Sequence, residues 1–181
     1  YGSGSYEIAS LLQHEGVDYL GVAVADEGVE LRNAGIAVPV LVMNPQPDSF
    51  ETMVRHGLEP EIYNLQALRH FEHVLQQAGE TAYPVHIKLD TGMHRLGFME
   101  EDIPELLRLL RISQKIRVAG IFSHLAGTDE AVHDDFTYQQ IAVFERMSNR
   151  VMQELDYPVI RHILNSAGIE RFPDAQFEMV R

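Results

Sequence analysis

The sequence predicts an α/β fold in which short parallel strands alternate with longer helices. Apolar segments of strand length alternate with amphipathic segments of helix length, and glycines end most of the helical segments. Polar residues follow several strand segments where each strand ends. Groups spread over several strand ends are typical of a (β/α)8 barrel, whereas an open doubly wound sheet usually carries a glycine-rich phosphate loop, which is absent from this sequence. The sequence therefore favours a TIM-type barrel.

The elements follow one another in a regular order. Helical patterns are predicted at residues 5–15, 26–34, 48–56, 65–77, 100–111 and 133–155. Strands are predicted at residues 19–24, 38–43, 61–63, 83–89, 117–122 and 159–164. Asp26 is the predicted N-cap of the second helix, and Asp48 or Ser49 that of the third. The segment at 61–63 is the weakest of the six strand patterns.

The strand at residues 83–89 has a charged face and an apolar face. Alternation places His86, Lys88 and Asp90 on one side and the intervening Val, Ile and Leu on the other. Helices predicted on both sides of the strand indicate that they cover the apolar face, while the polar face points into the barrel. Lys88, Asp90 and Arg95 would then meet at the carboxyl end of the strand. A salt-bridged strand end without chemistry explains these residues equally well.

Composition limits the classes of partner. The 181 residues carry a net charge of −13, which opposes binding to nucleic acid or to an anionic membrane surface. The longest apolar run, at residues 36–43, is too short to span a bilayer. The absence of cysteine excludes disulfides and thiolate metal sites and fits a cytoplasmic location. We therefore expect neither nucleic-acid nor membrane partners.

Other strand ends carry weaker signals. Asn165 and Ser166 precede a short helical turn and could hold a phosphate, although an N-cap without a ligand explains them as well. His124 follows another strand end, but a lone histidine is more often a structural group. The spacing of histidines and acidic residues matches no metal motif, so we predict no metal site. The serines lack the nucleophile elbow of hydrolases.

Several segments together resemble the barrel domain of bacterial alanine racemases, fold-type III enzymes that use pyridoxal 5'-phosphate (PLP). They are Tyr1-Gly-Ser-Gly4, Ala25-Asp-Glu-Gly28 with Leu31-Arg32, Lys88-Leu-Asp-Thr-Gly-Met-His-Arg-Leu-Gly97, Ser123-His-Leu-Ala126 with Asp129, Asn165-Ser-Ala167 and Val180-Arg181. The resemblance covers residues 1–181, which we expect to form one PLP-binding barrel domain. The sequence of residues 171–181 is also similar to that of racemases fused behind a muramoyl-tripeptide D-alanyl-D-alanine ligase.

The resemblance implies roles for particular residues. The implied catalytic residues are Arg95, near the cofactor's ring oxygen and the substrate carboxylate, and His124, beside the pyridine ring. The implied cofactor contacts are Tyr1, Arg95, His124, Asn165, Ser166 and Arg181. Two further residues are supporting: His162 assists Arg181, and Lys88 matches a lysine that many members carry as a carbamate. Whether Lys88 is modified stays open.

The resemblance also implies what lies outside this sequence. In the family, the lysine that binds PLP precedes the position of Tyr1, and the tyrosine base belongs to a C-terminal β-domain that acts across a homodimer interface. We therefore expect an incomplete barrel without its first strand, inactive by itself. The protein that carries it is expected to interconvert L- and D-alanine for peptidoglycan synthesis. A racemase for another amino acid such as serine, or a non-catalytic PLP-homeostasis protein on the same barrel, remains an alternative.

Overall fold

Six short strands form one parallel sheet in the computed structural model, which describes residues 4–180. The strands are β1 (Leu20–Val22), β2 (Val40–Val42), β3 (Glu59–Ile62), β4 (Tyr83–Lys88), β5 (Ile116–Phe122) and β6 (Ile160–His162). Their order in the sheet is their order in the chain, and every pair is parallel. Each strand thus lies beside its predecessor, as in the wall of a (β/α) barrel and unlike a doubly wound sheet. The predicted incomplete barrel is confirmed.

Helices connect the strands on the outside of this wall. They are α1 (Ser5–His14), α2 (Ala25–Asn33), α3 (Phe50–Arg55), α4 (Leu65–Ala78), α5 (Ile103–Ile112), α6 (Asp134–Met152) and α7 (Ser166–Arg171). The helix α4 shows why the sequence folds this way locally. The Asn64 side chain accepts a hydrogen bond from the Ala67 amide at 2.7 Å, and Gly79 ends the helix at φ 76°. No helix among residues 4–180 has the length and apolar character needed to cross a membrane.

The core lies between the helices and the outer face of the sheet. On β4 the apolar residues Val85 and Ile87 are fully buried, as is Leu89 just beyond the strand. Phe71 on α4 packs edge-on against Phe50, with ring centroids 5.0 Å apart. Burying a large apolar side chain contributes about 2 kcal/mol, so this outer layer fixes which face of β4 turns inward.

The strand β3 is displaced towards the N-terminus from its predicted position. It was expected at residues 61–63 but runs from Glu59 to Ile62, and all four of its residues are buried. Two carboxylates and a proline in four positions oppose the usual signature of a central strand. They are tolerated because Glu59 and Glu61 face basic side chains of β4 inside the barrel. Partners supplied by the next strand thus stabilise a strand that its own composition disfavours.

The predicted cap of α2 is wrong. The helix begins at Ala25 and Val24 is its N-cap, so Asp26 already lies within the first turn. The carboxylate of Glu27 accepts a hydrogen bond from the amide of Ala23 at 2.8 Å. Glu27 therefore performs the capping function from inside the helix, where its longer side chain can reach back.

An exposed ion-pair network on α5 gives a pH-dependent prediction. Glu105 accepts hydrogen bonds from Arg108 at 2.7 Å and from Arg69 of α4 at 2.8 Å. These bonds, that of Arg108 foremost, lower the pKa of Glu105 from 4.5 to about 2. Since the folded-state pKa is lowered, the stabilisation is present above pH 4.5 and is lost as the pH falls towards 2. We expect an NMR titration of Glu105 to give a pKa of about 2.

The titration has a matched control on the same helix. Replacing Arg108 by Gln should move the pKa of Glu105 back towards its ordinary value. Replacing Arg111 by Gln should leave it unchanged, because Arg111 pairs with Glu154 instead. A wild-type pKa near 4.5 would contradict the network.

Candidate functional site

The candidate site lies at the carboxyl ends of β4, β5 and β6. Strand pairing places Lys88 beside Phe122 and Phe122 beside His162, so the three residues form one row across the sheet. The Lys88 ammonium lies 5.1 Å from the centre of the Phe122 ring. The buried His162 ring stacks on the other side of Phe122, with centroids 4.8 Å apart and planes within 3°. The phenyl ring fixes both polar side chains in the barrel interior.

Two acid–base pairs join β3 to β4 along this interior. The carboxylate of Glu59 lies 2.7 Å from His86 Nε2, and that of Glu61 lies 3.3 Å from Lys88 Nζ. Three of the four side chains are at least nine-tenths buried and Glu59 nearly so. Sequence reasoning missed both carboxylates, although Glu59 and Glu61 alternate at the same period as His86 and Lys88. That matched alternation was the signal that could have revealed them.

The loop after β4 is closed by backbone pairing. The amide of Phe98 donates to the carbonyl of Lys88 at 2.8 Å, and the amide of Asp90 donates to the carbonyl of Phe98 at 2.9 Å. Asp90 Oδ1 accepts hydrogen bonds from the amides of Gly92 and His94. The Asp90 carboxylate therefore stabilises the conformation of the loop. Arg95 is exposed on this loop. Burial raises the pKa of the Glu61 carboxyl, while the charges of Lys88 and, last, Arg95 act to lower it.

The end of β5 is tied to its neighbours by a buried polar network. Ser123 Oγ donates to the carbonyl of Leu89 at 2.7 Å and lies 2.9 Å from the hydroxyl of Thr91. From α6, the amide group of Gln140 donates to the carbonyl of His124 at 3.2 Å and accepts from the amide of Ala126 at 2.9 Å. Gln140 thereby orients the segment that presents the half-buried His124.

At the end of β6, Asn165 is the N-cap of α7. Its Oδ1 accepts hydrogen bonds from the amide of Gly168 and the hydroxyl of Thr128, both at 2.9 Å. Its Nδ2 donates to the carbonyl of Leu125 at 3.3 Å. The Asn165 side chain is thus committed to holding this turn against the β5 loop. Ser166, the first residue of α7, is exposed beside it.

Two implied site residues, Tyr1 and Arg181, lie outside the described residues. The segment that leads to Arg181 runs beside β6, where the amide of Met179 donates to the carbonyl of Arg161 at 3.1 Å. Glu178 and Arg161 form an ion pair at 2.8 Å, and the hydrogen bond from Arg161 lowers the pKa of the Glu178 carboxyl.

A cavity of about 270 Å³ separates this segment from β1, with Tyr19, Met43 and His162 among its lining residues. Burial, and then the nearby charge of Glu59, raises the pKa of Tyr19 to about 12, so this phenol is neutral at physiological pH. A larger, mostly apolar cavity of about 740 Å³ lies between α1, α2 and β1. The chemistry-bearing side chains named above lie at the strand ends instead.

Among residues 4–180, no three histidine, aspartate or glutamate side chains are arranged to hold a metal ion. The arrangement at the strand ends instead combines cationic and neutral polar groups with carboxylates that already have partners: Glu59 with His86, Glu61 with Lys88, and Asp90 with loop amides. This end of the barrel therefore suits an anionic, planar ligand better than a cation.

The chain matches a known protein family. The family model described as alanine racemase, N-terminal domain, matches residues 1–181. The chain is 34% identical over 184 residues to alanine racemase 1 of Clostridium acetobutylicum, covering 100% of this chain and 47% of that protein. It is 36% identical over 184 residues to the alanine racemase of Clostridium tetani, with coverage of 100% and 47%.

Solved structures agree with the sequence matches. The alanine racemase of Clostridium difficile 630 in complex with cycloserine is similar at a TM-score of 0.92 and 35% identity, covering 100% of this chain and 50% of that one. The alanine racemase of Bartonella henselae with covalently bound pyridoxal phosphate is similar at a TM-score of 0.84 and 27% identity, with coverage of 100% and 51%. The chain spans about half the length of these relatives.

Proposed function

This chain belongs to the alanine racemase N-terminal domain family, and from that premise we propose that the protein carrying it interconverts L- and D-alanine with PLP. The observation that supports this most is the row formed by Lys88, Phe122 and His162 at the ends of three neighbouring strands. The residues that follow the same strands, Arg95, His124 and Ser166, are the proposed contacts to cofactor and substrate. We further propose that residues 1–181 form a single cofactor-binding domain, which the continuous core from Ala9 to Ala175 supports.

The side chains at the carboxyl ends of these strands fit the chemistry of PLP. The cofactor carries a phosphate, a ring oxygen and an aromatic ring, and the strand ends offer hydroxyl, guanidinium and imidazole groups. Ser166 and the turn held by Asn165 would bind the phosphate, and His124 would lie beside the ring. When bound, PLP withdraws electrons and makes the α-hydrogen of an amino acid acidic.

Arg95 would bind and orient the substrate. A guanidinium remains charged at all physiological pH values and offers a planar pair of donors, which match a carboxylate. Its place on a loop closed by two backbone bonds restricts its motion relative to β4. We propose that Arg95 holds the alanine carboxylate while His124 limits the tilt of the ring. Tyr1 and Arg181 are proposed as further cofactor contacts, with His162 supporting Arg181.

The wider context of the protein is also proposed. A homodimer, a cytoplasmic location, a role in supplying D-alanine for peptidoglycan and a fusion to a Mur-type ligase are consistent with the family. The net charge of −13 supports the proposal that the protein binds neither nucleic acid nor a membrane.

The test is a racemisation assay on the natural protein with PLP and either alanine enantiomer. We expect the optical rotation of both to converge to zero. Turnover of serine but not alanine would point to the other racemase, and PLP binding without turnover would point to the homeostasis protein. Residues 1–181 assayed alone are predicted to be inactive.

Replacing Arg95 by Leu tests its role directly. We expect kcat/KM for alanine to fall about 100-fold, because a preorganised charged donor is lost. Replacing the exposed Arg55 of α3 by Leu is the control and should leave kcat/KM unchanged. Equal activity of the two variants would contradict the proposed role of Arg95.

A further inference from the structure

The buried pair of Glu61 and Lys88 has a consequence for the chemical state of the lysine. The side chains are 1% and 6% exposed, and Oε1 lies 3.3 Å from Nζ. A buried charge is expensive unless an opposite charge accompanies it. As ammonium and carboxylate, the two groups compensate each other within the barrel interior.

A backbone amide also anchors the carboxylate of Glu61. Its second oxygen, Oε2, accepts a hydrogen bond from the amide of Asn44 at 3.3 Å, in the loop after β2. Burial raises the pKa of Glu61, and this is the largest influence on it. The charge of Lys88, the amide of Asn44 and the charge of Arg95 all act in the opposite direction. The Lys88 ammonium and the Asn44 amide therefore both lie against this single carboxylate.

A carbamate on Lys88 would reverse this arrangement. It forms when the neutral amine bonds to the carbon of CO2 and releases a proton, which leaves a negative charge where the ammonium was. That charge would adjoin the Glu61 carboxylate in a site with little solvent, where like charges repel strongly.

A second contact favours the ammonium independently. Lys88 Nζ lies over the face of Phe122, 5.1 Å from the ring centre. The face of an aromatic ring carries partial negative charge, which attracts a cation and repels an anion. The buried ring and the carboxylate thus both select the unmodified lysine.

We propose that Glu61 is a positioning residue: its buried carboxylate keeps Lys88 an unmodified ammonium at the carboxyl end of β4. The strand β3 thereby provides as a side chain the anion that a carbamate would otherwise provide. This inference about the state of Lys88 does not depend on the proposed function.

The state of Lys88 is tested by carbon-13 NMR of the natural protein equilibrated with labelled bicarbonate at mildly alkaline pH. This chain contains two lysines, Lys88 and Lys115, so matched Lys88→Met and Lys115→Met variants identify the source of any carbamate resonance. We expect the wild-type and Lys88→Met spectra to be the same in the carbamate region. A resonance that disappears in Lys88→Met and persists in Lys115→Met overturns the proposal. Should Lys88→Met fail to fold, Glu61→Gln/Lys88→Met removes both charges and serves the same purpose.

The role of Glu61 is tested by the same NMR measurement. We expect Glu61→Gln to show a carbamate resonance that Glu61→Gln/Lys88→Met lacks, because the buried carboxylate that opposes a second negative charge is gone. A Glu61→Gln spectrum without that resonance would overturn the role of Glu61. A wild-type protein without racemase activity would instead contradict the proposed function, while the NMR result would still report on Lys88.

Discussion

Replacing Gly97 by alanine is expected to lower the free energy of unfolding by about 4 kcal/mol. Gly97 adopts φ +135°, a conformation that residues with a side chain rarely adopt. A Cβ atom there would lie 2.4 Å from the amide nitrogen of Asp90 and 2.6 Å from the carbonyl carbon of Leu89. Both neighbours are backbone atoms of the loop closed by Phe98, so neither can move without breaking that pairing. The measurement is urea unfolding of the natural protein followed by circular dichroism.

Gly79 provides the matched control. It also has a positive φ, of 76°, but a Cβ atom at this position would meet nothing within 4 Å. Gly79→Ala should therefore cost only the backbone strain, about 1 kcal/mol. Equal losses in the two variants would show that strain alone, and not the contact with the Asp90 backbone, makes Gly97 necessary.

Replacing Gln140 by Leu is expected to lower the free energy of unfolding by about 3 kcal/mol. Gln140 is fully buried, and its side chain bonds the carbonyl of His124 and the amide of Ala126. Leucine has a similar volume and no polar atom, so both backbone groups would lose their partner while the packing is kept. Because these groups belong to the segment after β5, the same variant should loosen the orientation of His124.

Gln139, the preceding residue on α6, is exposed and serves as the control. Gln139→Leu should change stability by less than about 0.5 kcal/mol. Hydrogen exchange separates a local from a general effect: amides of residues 123–128 should exchange faster in Gln140→Leu, with α4 unaffected. Uniformly faster amide exchange over the whole chain would contradict a specific stabilisation of this segment by α6.

Much of the architecture was accessible from local patterns, as α4 and β4 illustrate. The apolar period of α4, together with Asn64 before it and Gly79 after it, defines both ends of a helix because the caps are local backbone chemistry. The alternation in β4 likewise assigns its two faces. By contrast, β3 was misplaced, because its charged residues are stabilised by His86 and Lys88, which lie far along the chain.

The candidate site, too, was only partly predictable from the sequence. The motif around Lys88 and Arg95 was found as a sequence pattern, and so was the pair Asn165 and Ser166. Their environment was not predictable, because it depends on which side chains the fold brings beside them. Asn165 proved to be bonded to Thr128 and Leu125, contacts that connect separate loops.

The sequence by itself determined the order of strands and helices, the faces of β4 and the family, since these depend on periodicity, caps and contiguous motifs. Only the tertiary structure decided that Glu61 lies against Lys88, that Phe122 separates Lys88 from His162, and that Gln140 supports the His124 segment. Contacts between residues distant in the chain have no local signature. They follow from strand pairing, which sets the neighbours of each side chain inside the barrel.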